Sequence, residues 1–195
     1  PVRDQVREAA AYWESWRDGS SWRPFQEGLL SAMADHFGDH THYFKGDGDR
    51  WPPRFVARAD GGAVFFTGGM SLRPQPRIDA HAGEADKLRH VELALALDPD
   101  LVATMSDSEV TTLVASLNRM ASFPWAHMGW LGPGHTVPTR AIPVGPSGQR
   151  FDALLVHADP PGAPDITLPA YRGAPVHLLW LIPLTVGERA AAMDG

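Results

Sequence analysis

Apolar residues recur at helical spacing in several stretches of the chain and alternate, or run together, in shorter ones. Val2, Val6, Ala9, Ala10, Trp13 and Trp16 share one face of a helix over 2–17, with charges between them and Asp18-Gly19-Ser20-Ser21 as a stop. Pro24 suits a first turn, and Leu29, Leu30, Met33 and Phe37 form one stripe. That spacing predicts a second helix over 24–37, closed by Gly38. Ser106-Asp107-Ser108-Glu109 has the form of a capping box, in which the Ser hydroxyl accepts from the Glu109 backbone while the Glu carboxylate reaches back. Val110, Leu113, Val114, Leu117 and Ala121 then define the apolar face of a helix over 107–121. Thr185 and Glu188 repeat the box and open a last helix through Met193.

Strand patterns fall at 41–44, 54–58, 63–67, 90–97, 151–157 and 176–181. Asp60-Gly61-Gly62 is a turn signal that makes 54–67 a hairpin. In 90–97, Val91, Leu93, Leu95 and Leu97 face one side, and Glu92, Ala94 and Ala96 the other. Beyond residue 120 lie only 9 of the 40 Asp, Glu, Lys and Arg residues but 11 of the 18 prolines, so that region reads as Pro-punctuated strands and turns. The expected fold is α+β: a mixed, largely antiparallel sheet packed against helices. One domain is expected over 23–195, with a helical extension over 1–22.

Composition narrows the function classes. With 195 residues, 44% hydrophobic content and seven Trp, the chain can fill a real core. A formal net charge of −6 disfavours nucleic acid, whose phosphates need a basic face, and suits a basic protein partner. The absence of Cys removes disulfides, thiol catalysis and zinc-thiolate sites, and is compatible with a reducing cytoplasm. No basic-then-apolar leader is visible, and the longest apolar run, Leu178 to Ile182, is strand-sized. The expectation is a cytoplasmic protein with no membrane partner.

Taken in order, several segments carry a resemblance. They are Thr67-Gly68-Gly69-Met70-Ser71 after a strand, Glu92-Leu93 within a strand, and the capped helix near 107–121. Gly134-His135-Thr136-Val137, the strand Phe151 to Val156, and Ile182-Pro183-Leu184-Thr185 with Glu188-Arg189 follow. Over about 25–195 this order resembles the suppressor-of-fused domain family. The resemblance implies a non-enzymatic α+β domain that works by binding another protein and needs no cofactor. In animals the family's namesake holds Gli-type transcription factors, taking a short peptide as an added strand between two domains, and this chain resembles the first of those domains. Bacterial single-domain members are similar to immunity proteins of toxin systems, which makes a cognate toxin the expected partner.

Candidate contact residues follow. Gly68, Gly69, Met70 and Ser71 read either as a ligand-contacting loop or as a tight strand exit with Met70 in the core. No Lys follows the glycines, so a phosphate loop is not supported. Trp125 and Trp130 lie in a Gly/Pro-rich stretch and read equally as binding anchors or core, whereas Trp180 reads as core. His135, flanked by Gly132, Pro133 and Gly134, reads as the start of a strand.

The enzyme alternative rests on histidine. His36, His40 and His42, near Asp35 and Asp39, could bind a metal, with His81, His90 or His135 completing the set of a metal-dependent hydrolase. No G-x-S-x-G elbow and no acid/base carboxylate pair is present, so no catalytic residue is assigned. Glu92 reads as surface pairing, and Arg189 as the partner of a strand carboxylate. A scaffold or regulatory module is a further alternative.

Overall fold

Phe65 and Phe66 are adjacent in sequence and both buried, which an extended strand achieves only when both of its faces are covered. The computed structural model describes residues 22–45, 55–59, 63–76, 87–127, 129–144 and 149–194, and shows how that covering is built. The strands are β1 (His40–Lys45), β2 (Phe55–Ala59), β3 (Val64–Gly68), β4 (Val91–Ala96), β5 (Thr136–Val144), β6 (Gln149–His157) and β7 (His177–Leu184). They form one seven-stranded sheet in the order β1-β2-β3-β4-β7-β6-β5. All neighbours are antiparallel except β4 and β7, which run parallel with Leu93 opposite Leu179. The helices are α1 (Arg23–Phe37), α2 (Pro99–Thr104), α3 (Asp107–Ala126) and α4 (Val186–Asp194). The fold is thus a single α+β domain, as the pattern predicts. The expected helix over 2–17 and the turn at 60–62 lie outside the described residues.

Each face of the sheet has its own core. On one, Val56, Phe65, Leu93, Leu95, Val156, Leu179 and Leu181 pack with Leu113, Val114, Leu117, Met120 and Ala121 of α3. On the other, Ala57, Phe66, Ala94 and Trp180 pack with Phe25, Leu29 and Met33 of α1, and with Leu168, Tyr171 and Val176 from the long connection between β6 and β7. The alternation Leu93/Ala94/Leu95 and Leu179/Trp180/Leu181 sends successive side chains to opposite layers. A residue on the "other" side of β4 therefore meets a second hydrophobic layer.

Local chemistry sets the helix ends. Ser106 and Glu109 close a complete capping box, with the Ser106 N–H donating to Glu109 Oε2 at 2.7 Å. Thr185 and Glu188 do the same for α4: the Thr185 N–H donates to Glu188 Oε2 at 2.8 Å, and this bond holds the Glu188 carboxyl below its ordinary value. Gly38 ends α1 at a φ of 76°, its N–H donating to the Ala34 carbonyl. Three features differ from the sequence pattern, the first being β5, a full nine-residue strand where only a strand start at His135 is expected. α2 is a short helix capped by Asp98, which accepts from the Asp100 N–H at 2.8 Å. α3 continues through Pro124 to Ala126; Pro124 lacks an N–H for the ladder, but burying it on the sheet side offsets that loss.

Candidate functional site

Glu92 points into the second layer and has no exposed surface. The expectation that it pairs at the surface is corrected here: α1 and the connection before β7 cover that face of the sheet. A carboxylate without water needs donors, and the segment leaving β3 supplies them. Glu92 accepts from Thr67 Oγ1 at 2.6 Å, from the N–H groups of Gly69, Met70 and Ser71 at 2.9, 3.2 and 3.0 Å, and from Ser71 Oγ at 2.6 Å. Three successive backbone N–H groups converging on one anion make a nest, filled here by the chain's own side chain. Burial pushes the Glu92 pKa up, against the opposing pull of the hydrogen bonds from Ser71, Thr67 and Gly69.

The network extends further. Thr67 Oγ1 also accepts from the Leu93 N–H at 2.9 Å, which ties the end of β3 to β4. His90 Nδ1 lies 2.6 Å from the Ser71 carbonyl oxygen; that oxygen can only accept, so Nδ1 carries the hydrogen. Burial lowers the His90 pKa, favouring the neutral ring, while the Ser71 bond opposes that and the nearby Arg89 adds to it. Gln75 donates from Nε2 to the carbonyls of Leu88 and Leu131 at 2.8 and 3.0 Å, and its Oε1 accepts from the Leu131 N–H at 2.7 Å. Thr67, Ser71, Gln75, His90 and Glu92 are five of the six buried polar side chains among the described residues, so nearly all of the buried polarity sits in this one network.

Of the two readings of Gly68, Gly69, Met70 and Ser71, this arrangement fits the tight strand exit with Met70 in the core rather than the contact loop. All four are buried, and the N–H groups of the last three are taken by Glu92. Each glycine has its own reason. At Gly68 a Cβ would come within 2.2 Å of the Phe55 ring, its cross-strand partner in β2. Gly69 has a φ of 104°, where side chains are strained. Met70 lies in the α3-side core.

The other predicted residues are more dispersed. Trp125 is half-buried; its Nε1–H donates to the Pro74 carbonyl at 3.3 Å, and the Arg73 guanidinium stacks 5.3 Å from its ring centre. Trp130 is half-buried, lies over Gly132, and meets the His135 ring edge-on at 4.6 Å. His135 precedes β5, with its carbonyl accepting from the Val156 N–H. Trp180 is core, and Arg189 pairs with Asp152 of β6 at 2.7 Å. His36 sits in the last turn of α1 with Nδ1 3.0 Å from the Ala32 carbonyl oxygen, while His40 opens β1. The side chain of His42, and all of His81, lie outside the described residues. Among the described residues no three His, Asp or Glu side chains are placed to hold a metal ion together.

Open surface chemistry lies elsewhere, in a groove that sequence reasoning did not single out. Between α3 and β5 runs a cavity of about 520 Å³ lined by Ser116, Arg119, Met120, Ser122, Phe123, Ala126, His127, Val137, Pro138 and Thr139. Met120, Phe123 and Val137 give it an apolar floor, and Arg119 and His127 place basic groups along it. Thr139 Oγ1 is buried there without a hydrogen-bond partner. β5 is an edge strand of the sheet, interrupted by a register shift between Pro138 and Ile142. The signal for the groove is not local: its walls come from 116–127 and 137–139, brought together by the pairing of β5 with β6.

The geometry defines an α+β domain whose buried acid is committed to structure and which carries an apolar groove beside a sheet edge. The chain belongs to the suppressor of fused protein (SUFU) family, whose family model matches residues 54–195. A chain of a solved structure described as the Sufu-Fu complex is 13% identical, with a TM-score of 0.48, the match covering 89% of this chain and 79% of that one. No curated protein matches the chain. Among the described residues no helix is long and apolar enough to cross a membrane.

Proposed function

We propose that this chain is a non-enzymatic, cytoplasmic protein-binding domain that takes a partner segment along the α3/β5 groove and masks it, as an immunity protein masks its toxin. The observation that carries the reading is the groove itself: an apolar floor at a sheet edge, with a buried hydroxyl lacking a partner. Family membership supports binding over catalysis, through the role that the resemblance implies. An apolar anchor side chain would fill the space over Met120, Phe123 and Val137, and a polar group of the partner would satisfy Thr139. Pro138 and Pro143 limit backbone pairing along β5, so the groove carries more of the affinity than strand addition does.

Calorimetry of the chain with the product of the gene beside its own tests this. Wild type binds, and Phe123→Asp or Ala126→Glu, both on the groove's helical wall, weakens binding by about 30-fold or more, the effect of losing a central anchor. Binding that is indifferent to both variants removes the groove from the reading. A neighbouring protein that neither binds nor is neutralised removes the immunity role.

A further inference from the structure

The five residues from Ser71 to Gln75 touch three parts of the molecule that are far apart in sequence. At one end, Ser71 is fastened to Glu92 and His90. In the middle, Pro74 accepts from Trp125 near the C-terminal end of α3, and Arg73 stacks on the same indole. At the other end, Gln75 exchanges hydrogen bonds with both the N–H and the C=O of Leu131, a residue with no exposed surface. Leu131 leads into β5 through a tight approach, in which the Gly134 N–H donates to the Val156 carbonyl and the His135 N–H to the Gly132 carbonyl.

Trp125 does not line the groove itself, but it belongs to the same last turns of α3 as Ser122, Phe123 and Ala126, which do. Leu131 leads to the other wall, Val137 to Thr139. The same short segment thus contacts both the helix and the approach to β5 that carry the two walls, and it is itself held by a buried carboxylate. Gln75 is suited to this task. Its amide satisfies two carbonyls and one N–H at 2.7–3.0 Å, and its own N–H donates to the Arg89 carbonyl at 2.8 Å, so it bridges the loop before β5 to the segment before β4. An apolar replacement would leave the buried Leu131 N–H and C=O unpaired.

We propose that Gln75, with Trp125, is a positioning residue of the α3/β5 groove, setting the spacing of its walls from the loop fastened to Glu92. This deepens the binding reading and rests on it for the use of the groove, but the coupling has its own test. Amide hydrogen exchange of the whole chain, followed by mass spectrometry, needs no partner. Gln75→Met keeps side-chain volume and removes the bonds; it is expected to raise exchange in 129–139 by about tenfold or more, since a lost buried hydrogen bond favours local opening by that order. Exchange in 177–184, at the centre of the sheet, stays within twofold of wild type. Trp125→Phe keeps the ring and removes the Nε1–H, and raises exchange in 119–127 by about two- to fivefold.

Exchange in 129–139 that stays at the wild-type rate overturns the proposal. So does a rise of equal size in 177–184, because that marks a general loss of stability. If Gln75→Met yields no folded protein, Trp125→Phe decides alone, and unchanged exchange in 119–127 overturns the assignment. Failure of the groove variants to weaken partner binding would sink the binding reading and leave the exchange result standing.

Discussion

Thr67 and Thr139 both lie in strands and both bury their hydroxyls, and they mark two regions of opposite character. The Thr67 hydroxyl donates to Glu92 and accepts from the Leu93 N–H, within a network where donors and acceptors meet. The Thr139 hydroxyl has no partner and lines a groove of about 520 Å³. A buried polar group that is fully paired has nothing left to offer a ligand, whereas one left unpaired beside an apolar groove lowers stability until something binds. The difference teaches that the glycine-rich loop, which looks like a contact surface, is a fastening, and that the unpaired hydroxyl lies in the groove against α3, where recognition is proposed.

Glu92→Ala breaks the comparison most severely. It strands three backbone N–H groups and two hydroxyls in a dry interior, and is expected to cost about 4 kcal/mol or more. Urea denaturation measures it, and a loss under about 1 kcal/mol would mean that water enters and replaces the carboxylate. Thr67→Val removes one donor and one acceptor from the paired network and should cost about 2 kcal/mol by the same method.

The pH profile sharpens the contrast within the network. Burial lowers the His90 pKa, so its contribution is fully present above the unfolded value of about 6.5 and is lost as pH falls through the folded value. Glu92 has the opposite sign: its raised pKa gives a contribution complete below the unfolded value of about 4.3 and lost as pH rises through the folded value. The stability cost of His90→Gln, taken from denaturation at a series of pH values, should therefore shrink below about pH 6.5. A cost independent of pH would mean that the ring is not held neutral.

Thr139→Val has the smallest expected effect, and its sign is reversed. Replacing an unpaired buried hydroxyl by a methyl should stabilise the free protein by about 0.5–1 kcal/mol, readable as a raised melting temperature. If the hydroxyl meets a partner group, the same variant weakens the complex. A destabilised free protein would show that the hydroxyl is already satisfied.

Much of the fold was legible in the sequence, because the signals are local. The Ser106/Glu109 and Thr185/Glu188 boxes, the stop at Gly38 and the period-two pattern around Leu93 each report on a few adjacent residues. What was not legible depends on contacts distant in sequence. Glu92 alternates with Val91 and Leu93, so periodicity placed it on the correct side of β4, but only the second helical layer makes that side an interior. A lone Glu sharing its face with Ala94, and preceded by a donor-rich Thr-Gly-Gly-Met-Ser loop, is the pattern that could have revealed the nest. α2 was missed because six residues carry too little periodicity, and the end of α3 because tertiary packing overrides Pro124. The groove has no local sequence signal.

The parallel pairing of β4 with β7 has a consequence for biosynthesis. β7 is the strand latest in sequence, yet it lies in the middle of the sheet, joining β1–β4 to β6 and β5. During translation the first four strands must wait with one side of β4 open until residues 177–184 have left the ribosome, and only then can the two halves of the sheet unite. A nascent chain in that interval exposes an apolar strand rim, so the protein's dependence on chaperones should peak late in synthesis.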